Sequence, residues 1–184
     1  RLPSVLEKHR SLESADLFRQ RALAMLSSSR TRAAFDLERE SPRTRERYGD
    51  THWGKSLLTC RRLVESGVRF VQCQASYRLR PETGRTSNWD DHSVNSHIFN
   101  AYREKLPSFD QSVSALIEDI FDRGLDKRIM VVAVGECGRT PHVKRPDGRD
   151  HNSTGFSFWM AGGGVKGGMR HGATDENGIA AVQD

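Results

Sequence analysis

The chain has little cysteine and no long apolar run. Cys60, Cys73 and Cys137 are an odd number without C-x-x-C spacing, so neither a disulfide framework nor a thiolate zinc site is implied, and the compartment stays open on that ground. No stretch approaches the roughly 18–20 apolar residues of a membrane-spanning helix, and no basic-then-apolar leader opens the sequence. Residue 1 is Arg rather than Met, which fits a processed or excised piece. The glycine run AGGGVKGG lacks the Gly-Lys-Ser/Thr of a P-loop, because Lys166 is followed by Gly167, Gly168 and Met169; a turn with positive φ is expected instead. Basic stretches with aromatics lack the spacing of any recognised nucleic-acid module, so nucleic acid is not an expected partner.

What is present is charge. The 184 residues are 29% charged and 35% hydrophobic, with a mean hydropathy of -0.68, polar for a self-contained domain but with enough glycine and aromatics to fold. A net charge of +5 favours anionic partners. The pattern is helical first. Leu12, Leu17, Leu23 and Leu26 recur at helical intervals up to the Ser27–Ser29 cluster, and a short helix is expected over 31–38. Ser41-Pro42 and Thr51 read as helix starts, with Gly49 and Gly67 as stops.

The run VRFVQCQA, 68–75, reads as a strand, and 76–93 as a long polar loop. Two further helices are expected, in SHIFNAYREKL and in SFDQSVSALIEDIFDRGL, where Phe109, Val113, Leu116, Ile117, Ile120 and Phe121 mark one face. RIMVVAV, 128–134, reads as a strand buried on both faces, and GFSFWMAGG as another strand. Helices alternating with strands predict an α/β fold, which places Glu136, Arg139 and Thr140 beyond a strand's carboxyl end, where ligands bind. No linker divides the chain.

Two clusters share a chemistry. Asp90, Asp91 and His92 stand in NWDDHSVN, Asp150 and His151 in GRDHN, and Glu136 lies between them. Carboxylate oxygen mixed with imidazole nitrogen suits zinc, manganese or iron; calcium and magnesium prefer oxygen alone. Such an ion polarises phosphoryl-type oxygens and acidifies bound water. An Asp-His pair is also an ordinary hydrated turn. Arg139 and Arg149 are candidates to clamp an oxyanion, or to pair with Glu136. Cys137 reads as a small buried residue, and His97 and His142 have no partner pattern.

The succession RYGDTHWGKSLLTCRRLVESGVRFV, NWDDHSVN, LIEDIFDRGL, VVAVGECGRTP, GRDHN and AGGGVKGGMRHGATDENG resembles the carboxyl-terminal part of an uncharacterised exported bacterial family, a domain of unknown function assigned to the alkaline phosphatase and sulfatase superfamily. The likeness covers nearly the whole chain. It implies a single domain over 1–184: a three-layer α/β/α sandwich with a mostly parallel sheet, incomplete at its amino end, mainly helical over 1–66 and α/β over 67–184. It implies export to the periplasm or the cell exterior, and a phosphate-ester or sulfate-ester hydrolase. The substrate would be a small anionic ester or a sulfated polysaccharide.

The family's Trp-Asp-x-His pattern falls on Trp89, Asp90 and His92, and its Gly-Arg-Asp-His pattern on Gly148 to His151. The resemblance therefore implies that Asp90, His92 and His151 hold a divalent metal, zinc or manganese rather than calcium or magnesium. Glu136 and Asp150 would be further ligands or orienting residues, with Arg139 and Glu136 serving catalysis. Glu136-Cys137 stands where the superfamily has an acidic-His pair for a second metal. The missing first strands would carry the nucleophile and one ligand, so this chain alone is expected to be nearly inactive. The alternative is a metal- or anion-binding protein without catalysis.

Overall fold

The computed structural model describes residues 5–75, 89–92, 97–144 and 147–183, with side chains from residue 14 onward. Its helices are α1 (Val5–Ser27), α2 (Ser29–Ala34), α3 (Pro42–Tyr48), α4 (His52–Glu65) and α5 (Ile98–Asp122). Local chemistry sets several boundaries. The Ser28, Ser41 and Thr51 hydroxyls accept from the N–H groups of Thr31, Thr44 and Gly54 at 3.4, 3.0 and 3.0 Å, satisfying donors that a helix start leaves open. Pro42 occupies the first turn of α3, where its missing N–H is harmless, and Gly49 ends that helix at φ 86°.

The interior lies between α3, α4 and α5. Tyr48, Leu58, Ala115, Leu116 and Ile120 are buried together, with Leu57, Leu125, Ile129 and Val131 packed on them. Beside this apolar cluster, Arg61 is 2% exposed and pairs with Glu65 at 2.5 Å, Asp119 at 3.0 Å and Glu40 at 3.1 Å. Tyr48 donates to Asp119 at 2.9 Å, and Arg123 reaches the same carboxylate at 2.7 Å. Burial works against ionisation of Asp119, yet Arg123, Arg61 and Tyr48 keep its carboxyl below the ordinary range.

The strands do not form the expected sheet. Each described strand belongs to a short antiparallel pair: β1 (Met130–Val134) with β4 (Phe158–Gly162), β2 (Gly138–Arg139) with β3 (His151–Asn152), and β5 (Ala173–Thr174) with β6 (Ala181–Gln183). The three-layer sandwich with a mostly parallel sheet is therefore corrected to a helical cluster carrying three small antiparallel pairs. Residues 68–75 form no strand. β1 is a strand, but it is not buried on both faces: Val131 packs on the helical core, whereas Val132 and Val134, on the alternate face, remain 50% and 62% exposed.

The two helices expected over 96–106 and 108–125 are one. α5 runs through Pro107, which sits on the exposed side while Ala101, Lys105, Ser112, Ala115 and Asp119 keep a continuous buried stripe. Proline removes a single ladder bond there, and packing along the stripe outweighs it. Most of the long polar loop, 76–88 with 93–96, lies outside the described residues.

Candidate metal centre

Three features bring distant residues to one place. Trp89 adopts φ 58°, a region disfavoured for a bulky residue. Its indole donates to the Ala75 carbonyl at 2.7 Å and packs on Trp53, Tyr102 and Phe109 with ring centroids 5.7, 6.1 and 5.8 Å away. This aromatic anchor fixes the backbone immediately before Asp90. On the other side, the β2–β3 register sets Arg139 opposite His151. Gly138 lies so close to the Gly155 carbonyl that a Cβ there would collide with it.

The side chains then converge. His151 Nε2 lies 2.6 Å from Asp90 Oδ1, His92 Nε2 lies 2.8 Å from the same oxygen, and Arg139 donates to it at 2.8 Å. The two imidazoles stack with centroids 5.1 Å apart. Hydrogen bonds from His151 and Arg139, helped by the charge of His92, hold the Asp90 carboxyl well below the usual carboxylate range.

The chemistry of these donors fits a divalent cation. One atom each from Asp90, His92 and His151 lies within 4.8 Å of the others; bonds of about 2.0–2.2 Å to a tetrahedral ion place ligand atoms about 3.3–3.6 Å apart, so small side-chain rotations would complete the site. His92 also faces a carboxylate with each ring nitrogen: Asp90 at Nε2 and Asp150 at Nδ1, 3.3 Å away. A neutral imidazole has one N–H. If Nδ1 donates to Asp150, the Nε2 lone pair faces an oxygen anion, and either a second proton or a cation relieves that repulsion. Asp150 thus stands where a carboxylate orients a metal-binding histidine. Lys144 pairs with Asp150 and, with His92, keeps its carboxyl low.

The remaining candidates divide. Glu136 is exposed and reaches Arg139 at 3.5 Å, and with Cys137 and His151 it forms a second group of donor atoms within 4.8 Å. The Cys137 thiol lies 3.8 Å from the Glu136 carboxylate. Arg149 does not face the centre as an anion clamp: its guanidinium donates to the carbonyls of Thr140, at 2.6 Å, and Pro141. The Thr140 hydroxyl is engaged by Asp150 N–H at 3.2 Å and donates to the His142 carbonyl at 3.1 Å. His97 pairs with Asp147 at 2.7 Å.

Sequence reasoning passed over Lys105. It is 0% exposed, and its ammonium donates to both oxygens of Asp91 at 2.9 and 2.7 Å while lying 5.4 Å from the Trp89 ring centre. A signal did exist: Lys105 falls on the same helical stripe as Ala101, Ser112 and Ala115. Asn152 was missed as well; its amide donates to the Ile179 carbonyl at 2.7 Å, tying β3 to the last segment.

A centre of two imidazoles and a carboxylate, crossed by an arginine, defines a class of site rather than one protein. Over residues 4–184 the chain matches the family described as "Protein of unknown function (DUF1501)", and it belongs to that family. No curated protein and no solved structure matches it.

Proposed function

We propose that the protein is a metal-dependent hydrolase of phosphate or sulfate esters, with Asp90, His92 and His151 as ligands to zinc or manganese. The observation that carries this reading is the meeting of both imidazole Nε2 atoms at Asp90 Oδ1, from loops about 60 residues apart in the chain. The ester class rests on the resemblance of the Trp-Asp-x-His and Gly-Arg-Asp-His stretches to the alkaline phosphatase and sulfatase superfamily. When bound, the ion supplies Lewis acidity toward the ester oxygen and lowers the pKa of coordinated water. Asp150 holds the His92 ring, and Arg139, beside Asp90, supplies the donor face for an anionic group.

Protein that also carries the expected amino-terminal strands should retain zinc or manganese and hydrolyse an aryl phosphate or aryl sulfate, whereas the 184-residue chain alone should hydrolyse either one feebly at most. His151→Ala and His92→Ala should each weaken metal binding by more than about 100-fold, beyond the roughly 10–100-fold effect of losing an outer partner. A metal-free, inert full-length preparation would count against the proposal.

A second reading, a metal- or anion-binding protein without turnover, is favoured by Glu136-Cys137, which stands where the superfamily it resembles has an acidic-His pair for a second metal. Metal retention with tight sulfate binding and no hydrolysis would select this reading.

A further inference from the structure

Asp90 and His92 come from one segment, and Asp150 and His151 from another, at the start of β3. The residue between Asp90 and His92 faces the opposite way. Asp91 is 1% exposed and receives Lys105 from α5 on both carboxylate oxygens, while its backbone carbonyl accepts the N–H of Arg149 at 3.2 Å. One residue therefore touches the helix with its side chain and the second loop with its main chain, immediately before Asp150-His151. Lys105 is itself held between that carboxylate and the Trp89 ring, which anchors the first loop at Ala75.

We infer that Lys105 is a positioning residue: through Asp91 it locks both loops to α5 and sets the His92–His151 distance that the metal centre requires. Burying an ammonium and a carboxylate gains little net stability over an apolar pair, but a buried ammonium close to both carboxylate oxygens, at 2.9 and 2.7 Å, holds Asp91 against α5. The pair's contribution is geometric, and it rests on the metal-centre reading only for the consequence of that geometry.

Lys105→Met alone takes the ammonium away from a buried carboxylate, so the deciding variant is Asp91→Asn with Lys105→Met, in which neither charge remains. Two readouts are taken on the full chain: nuclear Overhauser contacts between the His92 and His151 rings, and zinc affinity by competition with a chromophoric chelator. The expected result is a folded double variant that has lost the ring contacts and binds zinc at least about tenfold more weakly, as for other outer partners of metal ligands. A folded double variant with wild-type ring contacts overturns the inference, whatever its zinc affinity. Wild-type protein that shows the ring contacts but binds no zinc defeats the metal reading alone, and the loss or retention of those contacts still decides the role of Lys105. If the double variant does not fold, Asp91→Asn, which keeps one acceptor for Lys105, decides the question: weakened ring contacts support the inference and unchanged contacts refute it.

Discussion

Asp90 gathers His151, Arg139 and His92 around one oxygen, and that crowding has a pH signature. Its carboxyl titrates below the unfolded value of about 3.9. The stabilisation it contributes is therefore complete above that value and disappears as pH falls through the lower folded one. Asp90→Asn is expected to flatten part of the loss of stability between roughly pH 4 and pH 2, read as urea midpoints across that range; identical acid limbs would contradict the assignment. Glu40 and Asp119 remain as other depressed carboxylates, so the limb should not vanish. A second residue-scale expectation concerns thiols. A hydrogen bond from Cys60 lowers Cys73 to about 7 against the effect of burial, and the same bond, with burial, pushes Cys60 upward. Near neutral pH iodoacetamide should modify Cys73 before Cys60; peptide mapping that finds Cys60 labelled first would refute this.

At the scale of elements, α3, α4 and α5 are joined by polar contacts as much as by apolar ones. Tyr48→Phe removes a hydrogen bond to the buried Asp119 carboxylate without opening a cavity, and should lower stability by about 1.5–3 kcal/mol. Denaturant melts with an unchanged slope check it; a loss under about 0.5 kcal/mol would show that the arginines alone satisfy Asp119. The starts of α3 and α4 were legible, since Ser41-Pro42, Thr51 and Gly49 act through contacts a few residues away. Pro107 misled because a local breaker competes with a stripe of burial that no local rule sees. Lys105 and Arg61 were illegible for a related reason: a charged residue on a helix reads as solvated until its partner, Asp91 or Asp119, is placed by the fold.

For the whole molecule, the sequence was a poor guide to sheet architecture and a better one to which polar side chains meet. A short apolar run such as RIMVVAV is compatible with a strand covered on both faces and with one left open, and β1 beside β4 is the second kind. The clustering of carboxylate and imidazole side chains is another matter. Asp90, His92 and His151 were singled out by donor type and motif order, and the fold brings these three together. Arg149 was misjudged because its partners are backbone carbonyls, which leave no mark in a sequence. Glu136 stands at the margin, reaching the centre through Arg139.

X-ray absorption at the zinc edge of the zinc-loaded chain reads the proposed ligands themselves. The expected first shell contains two imidazole nitrogens and a carboxylate oxygen at about 2.0–2.2 Å, with the imidazole signal reduced in His151→Ala. Zinc that washes out, or a shell of water oxygen without imidazole, would contradict it.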